Sequence, residues 1–280
     1  MFQYATALSV EGNVGAWPEY PGAVDKFLKY VELFPDVKIV PQLPEGITHF
    51  HQPDFSYCKI PRESGKDLMI WGYFQSERFF RDPSLVRARF RMSDQRRKYL
   101  QGKYGDWLTR PGVTGISVRR GDYMQKPQHH PFVGKAYFKE CLSRLSDVQD
   151  FIVCSDEIGW CRAFFQETFP RRNFLFVEGE SVLDQLYVHT LCANNIISNS
   201  SFSWWGAWLN DCPTKRVLAP SLWFGFDLYR SQEAWKDIYF KGAEIVPTRY
   251  SCGQYMLAWS KVIYWDVRRF AGRCKRRWLG

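Results

Sequence analysis

The sequence predicts an α/β protein whose second half is a doubly wound parallel sheet. From Gly115 onward, short apolar strands alternate with segments of helical periodicity, the pattern of such a sheet. The chain is also large and apolar enough for it: 280 residues, 45% hydrophobic and 18% aromatic, allow a sizeable core and about two domains.

The first half reads as mixed α/β. Val24, Phe27, Leu28 and Val31 fall on one helical face, and Val37 to Val40 is a short β-branched run ended by Pro41. His49 and His51 form an isolated HxH, better explained by a strand with two polar side chains on one face than by a metal site. Leu68-Met-Ile-Trp71 reads as a buried strand stopping at Gly72. One long basic helix is expected from Ser84 to about Leu108, with Leu85, Val86, Phe90, Tyr99 and Leu100 as its apolar positions. Pro111-Gly112 breaks the chain, which places domains at 1–110 and 111–250 and leaves 251–280 as a basic aromatic tail.

In the second half, strands are expected at Gly115–Val118, Phe151–Cys154, Phe174–Val177, Asn195–Ser198 and Arg216–Ala219. Helices are expected around Tyr137 to Leu145, Trp160 to Phe165, Val182 to Leu191 and Trp204 to Leu209. Sheets of this kind bind ligands at the carboxyl ends of their strands. Three of those ends stand out: Arg119-Arg-Gly-Asp-Tyr123, Ser155-Asp-Glu157, and Asn199-Ser-Ser-Phe-Ser203 running into Trp204-Trp-Gly-Ala-Trp208. Arginine grips a diphosphate bidentately and neutralises it as a leaving group. A helix N-terminus with free N–H groups suits a phosphate, and a carboxylate accepts from a guanine edge or a ribose hydroxyl. Each element also has a plainer reading: solvated arginines at a strand end, or a helix cap in which Ser201 or Ser203 bonds backbone N–H groups. The many aromatics read mostly as core, with a sugar-stacking wall as the alternative for Trp204, Trp205, Trp208 and Trp223.

The rest of the composition narrows the function. Eight cysteines include no CxxC pair and no zinc spacing, so buried reduced thiols are expected, in keeping with a cytosolic compartment. No run approaches the roughly 18 apolar residues of a membrane span, and the chain does not open with a basic-then-apolar leader. From Lys261 onward seven basic residues face Asp266 alone, so six of the nine net positive charges lie in the tail. The body is nearly neutral, which argues against a nucleic-acid partner. In the tail, Trp259, Val262, Ile263, Phe270 and Trp278 are interleaved with the cations. That pattern fits a helix in the headgroup plane of an anionic membrane, the alternative being a solvated basic end.

At the three strand ends the chain resembles the α-1,2-fucosyltransferases of glycosyltransferase family 11. That family shows a strand ending in HxRRGDY, against Ser117-Val-Arg-Arg-Gly-Asp-Tyr123 here. Its NIIxNSSFSWWGAWL block matches Asn195 to Leu209 almost letter for letter. Gly72-Tyr-Phe-Gln-Ser-Glu77, Ser155-Asp156 followed by Trp160, and Met1-Phe-Gln-Tyr-Ala5 resemble further family segments, in order along nearly the whole chain. The resemblance implies a GT-B-like pair of Rossmann-type domains. It also implies inverting transfer of L-fucose from GDP-fucose to a galactose-containing glycan in α-1,2 linkage, the alternatives being a different acceptor or a catalytically silent GDP-sugar- or glycan-binding homologue. No cofactor or metal is implied, and the chain has no DxD motif.

The same resemblance assigns the diphosphate to Arg119 and Arg120, Arg119 foremost. It gives phosphate to Asn199, Ser200, Ser201 and Ser203, and the nucleoside to Asp156. For the general base, position leaves Asp122, His129 and His130 open, with Glu157 behind them. Two departures stand out. Ser117 replaces the motif's histidine, and the chain begins where the family's glycine-rich loop ends, so the first strand and that loop are expected to be missing. A bacterial source implies a cytoplasmic or membrane-peripheral protein. A eukaryotic one implies a Golgi membrane protein truncated at its N-terminus.

Overall fold

The computed structural model describes residues 1–10, 14–17, 31–34, 37–63, 65–225 and 232–278. The chain divides into two compact units, Met1–Ser93 with Gln232–Lys241, and Asp94–Ser231 with Gly242–Gly280.

The first unit contains helix α1 (Phe2–Ser9), strands β1 (Gly15–Ala16), β2 (Lys38–Ile39), β3 (Thr48–His51) and β4 (Leu68–Trp71), and helix α2 (Pro83–Arg89). Its strands form two parallel pairs, β1 with β2 and β3 with β4. His49 and His51 both point to the exposed face of β3, as their spacing predicted. The returning segment is held by Asp237, which accepts from the Tyr57 N–H at 2.9 Å and pairs with Arg78 at 2.6 Å. The helix expected through Val24, Phe27 and Leu28 falls on residues outside those described; Val31 opens a short 3-10 turn.

The second unit runs α3 (Asp94–Leu108), β5 (Thr114–Val118), α4 (Lys135–Arg144), β6 (Asp150–Ser155), α5 (Ile158–Thr168), β7 (Asn173–Phe176), α6 (Val182–Thr190), β8 (Asn194–Ile196), α7 (Ser201–Leu209), β9 (Val217–Pro220), β10 (Ala243–Val246) and α8 (Cys252–Trp278). All six strands are parallel, in the order β10-β9-β8-β5-β6-β7. The first strand, β5, is therefore central. The chain builds outward to β6 and β7 on one side, then crosses back to β8, β9 and β10 on the other. The seam between β5 and β8 is the topological switch point, where loops diverge and leave a crevice at the strand ends.

Pleating sorts the side chains of the central strands. Ile116 and Val118 of β5, with Phe151 and Val153 of β6, pack against Tyr137, Phe138, Cys141 and Leu142 of α4 and Cys161, Phe164 and Phe165 of α5. Burying an aromatic ring this fully stabilises the fold by about 3 kcal/mol. Gly115 and Ser117 point the other way, Gly115 toward His189 and Cys192, Ser117 toward Ser203.

Two expectations need correction. The single helix from Ser84 to about Leu108 is two helices, α2 and α3, because buried Phe90 and Met92 turn the chain between them. The units part after Ser93, ahead of the break at Pro111. The reason is that α3 is tied into the second unit, Arg96 to Asp184 at 2.6 Å and Tyr104 to Glu180 at 2.9 Å. Trp204, Trp205, Trp208 and Trp223 follow the core reading, each 1–2% exposed, which leaves no sugar-stacking wall among them. Strand β10 went unread: its four residues alternate too weakly to show in sequence.

Candidate active site at the sheet's switch point

The loop after β5 is shaped by one carboxylate. Asp156, just past β6, accepts from the Arg120 N–H at 3.0 Å and from the Arg119 guanidinium at 2.9 Å. Residue 121 must be glycine for this approach, since a Cβ there would lie 2.6 Å from the Asp156 Oδ2 atom. Arg119 is held from its other side by Asp122 at 2.7 Å. One guanidinium thus bridges two carboxylates, with its side chain still 39% exposed. Arg120 behaves differently. Its guanidinium lies 3.9 Å over the Trp160 ring and 5.2 Å from the Phe132 ring. Burial lowers its pKa from the ordinary arginine value, against the opposing pull of nearby Cys161, Glu157 and Asp156.

Tyr123 links this loop to the one after β8. Its hydroxyl donates to the Asn199 carbonyl at 3.0 Å, and its ring stacks on His130 at 4.8 Å. Burial pushes the phenol up to about 12, so it stays a donor. Burial also lowers the His130 pKa, helped by neighbouring His129, which favours a neutral ring able to accept a proton. On the β8 side, Ser200 is the N-cap residue of α7 and its side chain makes no capping bond. The first N–H groups of α7 therefore have no side-chain cap, which is the feature that makes a helix start attractive to an anion. Among the described residues, no three His, Cys, Asp or Glu side chains are grouped as a metal site.

The Glycosyl transferase family 11 profile matches residues 1–237 of this chain. The chain belongs to that family. Two Escherichia coli proteins are similar over part of their length. The O-antigen biosynthesis glycosyltransferase WbnK is 35% identical over 122 residues, 40% of this chain and 39% of that protein. An alpha-1,2-colitosyltransferase is 33% identical over 116 residues, 39% of this chain and 40% of that protein. The match thus spans about two fifths of either relative. Among solved structures, NodZ alpha-1,6-fucosyltransferase soaked with GDP-fucose aligns with a TM-score of 0.37 at 16% identity over 54% of each chain, a likeness too slight to bear on fold or function.

In this family 11 chain the sheet gathers most of the residues singled out from sequence. Arg119, Arg120, Asp122, His130, Asp156, Asn199 and Ser200 belong to the segments after β5, β6 and β8, and Ser201 opens α7. Not all have side chains to offer a ligand. The Asn199 amide donates to the Pro131 and Trp223 carbonyls at 2.7 and 2.9 Å and fastens three loops together. Ser203 is 1% exposed, and its hydroxyl bonds Ser117 at 2.7 Å and Ser198 at 3.1 Å. Ser117, in place of the motif's histidine, is thus part of a buried hydroxyl cluster. Ser201 alone of the serine run's candidates is exposed. Glu157 caps nothing with its side chain and lies exposed at the start of α5. Sequence reasoning missed Tyr123 as the link between loops and Trp160 as the platform beneath Arg120. The sequence held both residues, but only folding brings loop to loop.

Proposed function

We propose that this protein is an inverting glycosyltransferase that moves L-fucose from GDP-fucose to a galactoside hydroxyl in α-1,2 linkage, without a metal. The observation that carries the reading is the exposed Arg119 guanidinium at the β5–β8 switch point, near the uncapped start of α7. Two carboxylates, Asp122 and Asp156, fix that guanidinium at the strand end. Diphosphate oxygens compete for the same fork of N–H groups and can take up the α7 N–H groups as well. As the acceptor oxygen attacks the anomeric carbon from the far side, the carbon–phosphate oxygen bond breaks and charge gathers on GDP, where Arg119 and α7 neutralise it. The acceptor proton passes to a base. Asp122, released as Arg119 turns to phosphate, and neutral His130 are the candidates to receive it. Asp156 holds the arginine loop and is the carboxylate assigned to accept from the nucleoside.

The likeness to an alpha-1,2-colitosyltransferase favours a second donor sugar, nucleotide-activated colitose, at the same site with the same linkage. Incubating the protein with each donor and a panel of β-galactosides, reading GDP release and product linkage by NMR, separates the two. The expected result is an α-1,2-fucosylated product. Turnover should be unchanged by EDTA and not raised severalfold by manganese, because guanidinium and helix-terminal N–H groups do the work a cation does elsewhere. A strict manganese requirement, or no GDP release with any acceptor, would overturn the proposal.

A further inference from the structure

Helix α8 spans 27 residues from Cys252 to Trp278, roughly 40 Å at the usual rise per residue. One side of its first turns is fixed to the second unit. Gln254 and Ala258 are buried, and the Gln254 Nε2 atom donates to the Phe132 carbonyl at 2.6 Å. Just ahead of the helix, the Tyr250 hydroxyl donates to the Pro127 carbonyl at 2.8 Å. The opposite side is apolar and open to solvent. Met256, Ile263 and Val267 are 70%, 59% and 63% exposed, and Trp259 in the same row is 44% exposed. Positions 256, 259, 263 and 267 are three and four apart and share one helical face, about half a turn from 254 and 258. In the sequence the spacing continues through Phe270 and Cys274, while Lys261, Arg268, Arg269, Arg273, Lys275 and Arg276 fall on other positions.

An exposed apolar row on a helix is unfavourable in water and marks a contact surface. Charge decides the occupant. From Lys261 to the end, seven cations are opposed by one carboxylate, Asp266. A second copy of the chain would add cations beside cations, whereas an anionic bilayer offers acyl chains to the row and phosphates to its flanks. No helix among the described residues is long and apolar enough to cross a membrane.

We infer that α8 docks the protein on an anionic membrane surface, lying in the headgroup plane with Met256, Ile263 and Val267 entering the acyl boundary. This surface is separate from the β5–β8 site, so the inference does not depend on the transferase reading.

Sedimentation of the full-length protein with phosphatidylcholine vesicles, with and without phosphatidylglycerol, tests it. Binding is expected to the anionic vesicles at low salt, with release at high salt as the cations are screened. Little binding is expected to neutral vesicles. The Ile263→Glu, Val267→Glu double variant should lower the bound fraction about tenfold with an unchanged melting temperature, since both side chains are exposed. Arg268→Glu with Arg269→Glu should lower it similarly, and tests the charge term even if the first variant folds poorly. Three results would each overturn the inference: no binding to either vesicle, equal binding by wild type and both variants, or salt-independent binding to neutral vesicles. A wild-type dimer that Ile263→Glu dissociates, without vesicle binding, would assign the row to a second copy instead.

Discussion

Replacing Arg119 by alanine is expected to lower turnover at saturating donor by about a hundredfold or more while the protein stays folded. Stability should change little, because the guanidinium is partly exposed and its ion pairs with Asp122 and Asp156 stand at a solvated loop. The chemical step should change greatly, because the charge that Arg119 neutralises appears on the leaving group only as the bond breaks. The substitution also leaves Asp122 and Asp156 facing the diphosphate with no cation between them, so donor affinity should weaken too. Arg119→Lys should restore only part of the rate: an ammonium supplies the charge but not the planar fork that fits two phosphate oxygens. Steady-state kinetics beside a thermal melt decide the matter. Near-wild-type turnover in a well-folded Arg119→Ala protein would remove the leaving-group role.

Mild acid is expected to destabilise the fold through one core histidine. His189 lies on α6, fully buried between Gly115 of β5 and Gly206 of α7, where a Cβ at residue 115 would meet its Nδ1 atom at 2.6 Å. Its Nε2 atom has no hydrogen-bond partner among the described residues. Burial pushes its pKa down to about 4 from 6.5. The unfolded chain binds a proton near the ordinary value and the folded protein does not. Stability is therefore intact above about pH 6.5 and is lost as pH falls toward 4. Between about pH 7 and about pH 5 the loss from this group is about 2 kcal/mol. Urea unfolding across that range should show it, and His189→Gln should flatten the curve. A wild-type curve already flat over this window would mean the ring is solvated or paired.

Much of the second unit was legible because its signals are local. Short apolar runs such as Phe151 to Cys154 cannot sit beside 3.6-period segments in any other simple architecture, and Arg119 and the Asn199–Ser203 run fall where parallel strands end. What stayed hidden depends on contacts between distant residues. The turn at Phe90 to Ser93 interrupts a pattern that reads as continuous helix, because burial of Phe90 and Met92 outweighs local propensity. Ser203 and Asn199 look like phosphate ligands in a serine-rich run. Only the folded chain shows Ser203 bonded to Ser117 and Asn199 clamped between Pro131 and Trp223. For Trp204, Trp205 and Trp208 the core reading holds, and burial of the short helix that carries them removes the sugar-platform alternative.

The most direct measurement is a crystal structure of this protein with GDP. The account predicts the β-phosphate between the Arg119 guanidinium and the backbone N–H groups of Ser201 and Phe202, with the Asp122 ion pair opened and Arg120 still resting on Trp160. GDP bound elsewhere in the chain, or bound while Arg119 keeps both carboxylates, would contradict it.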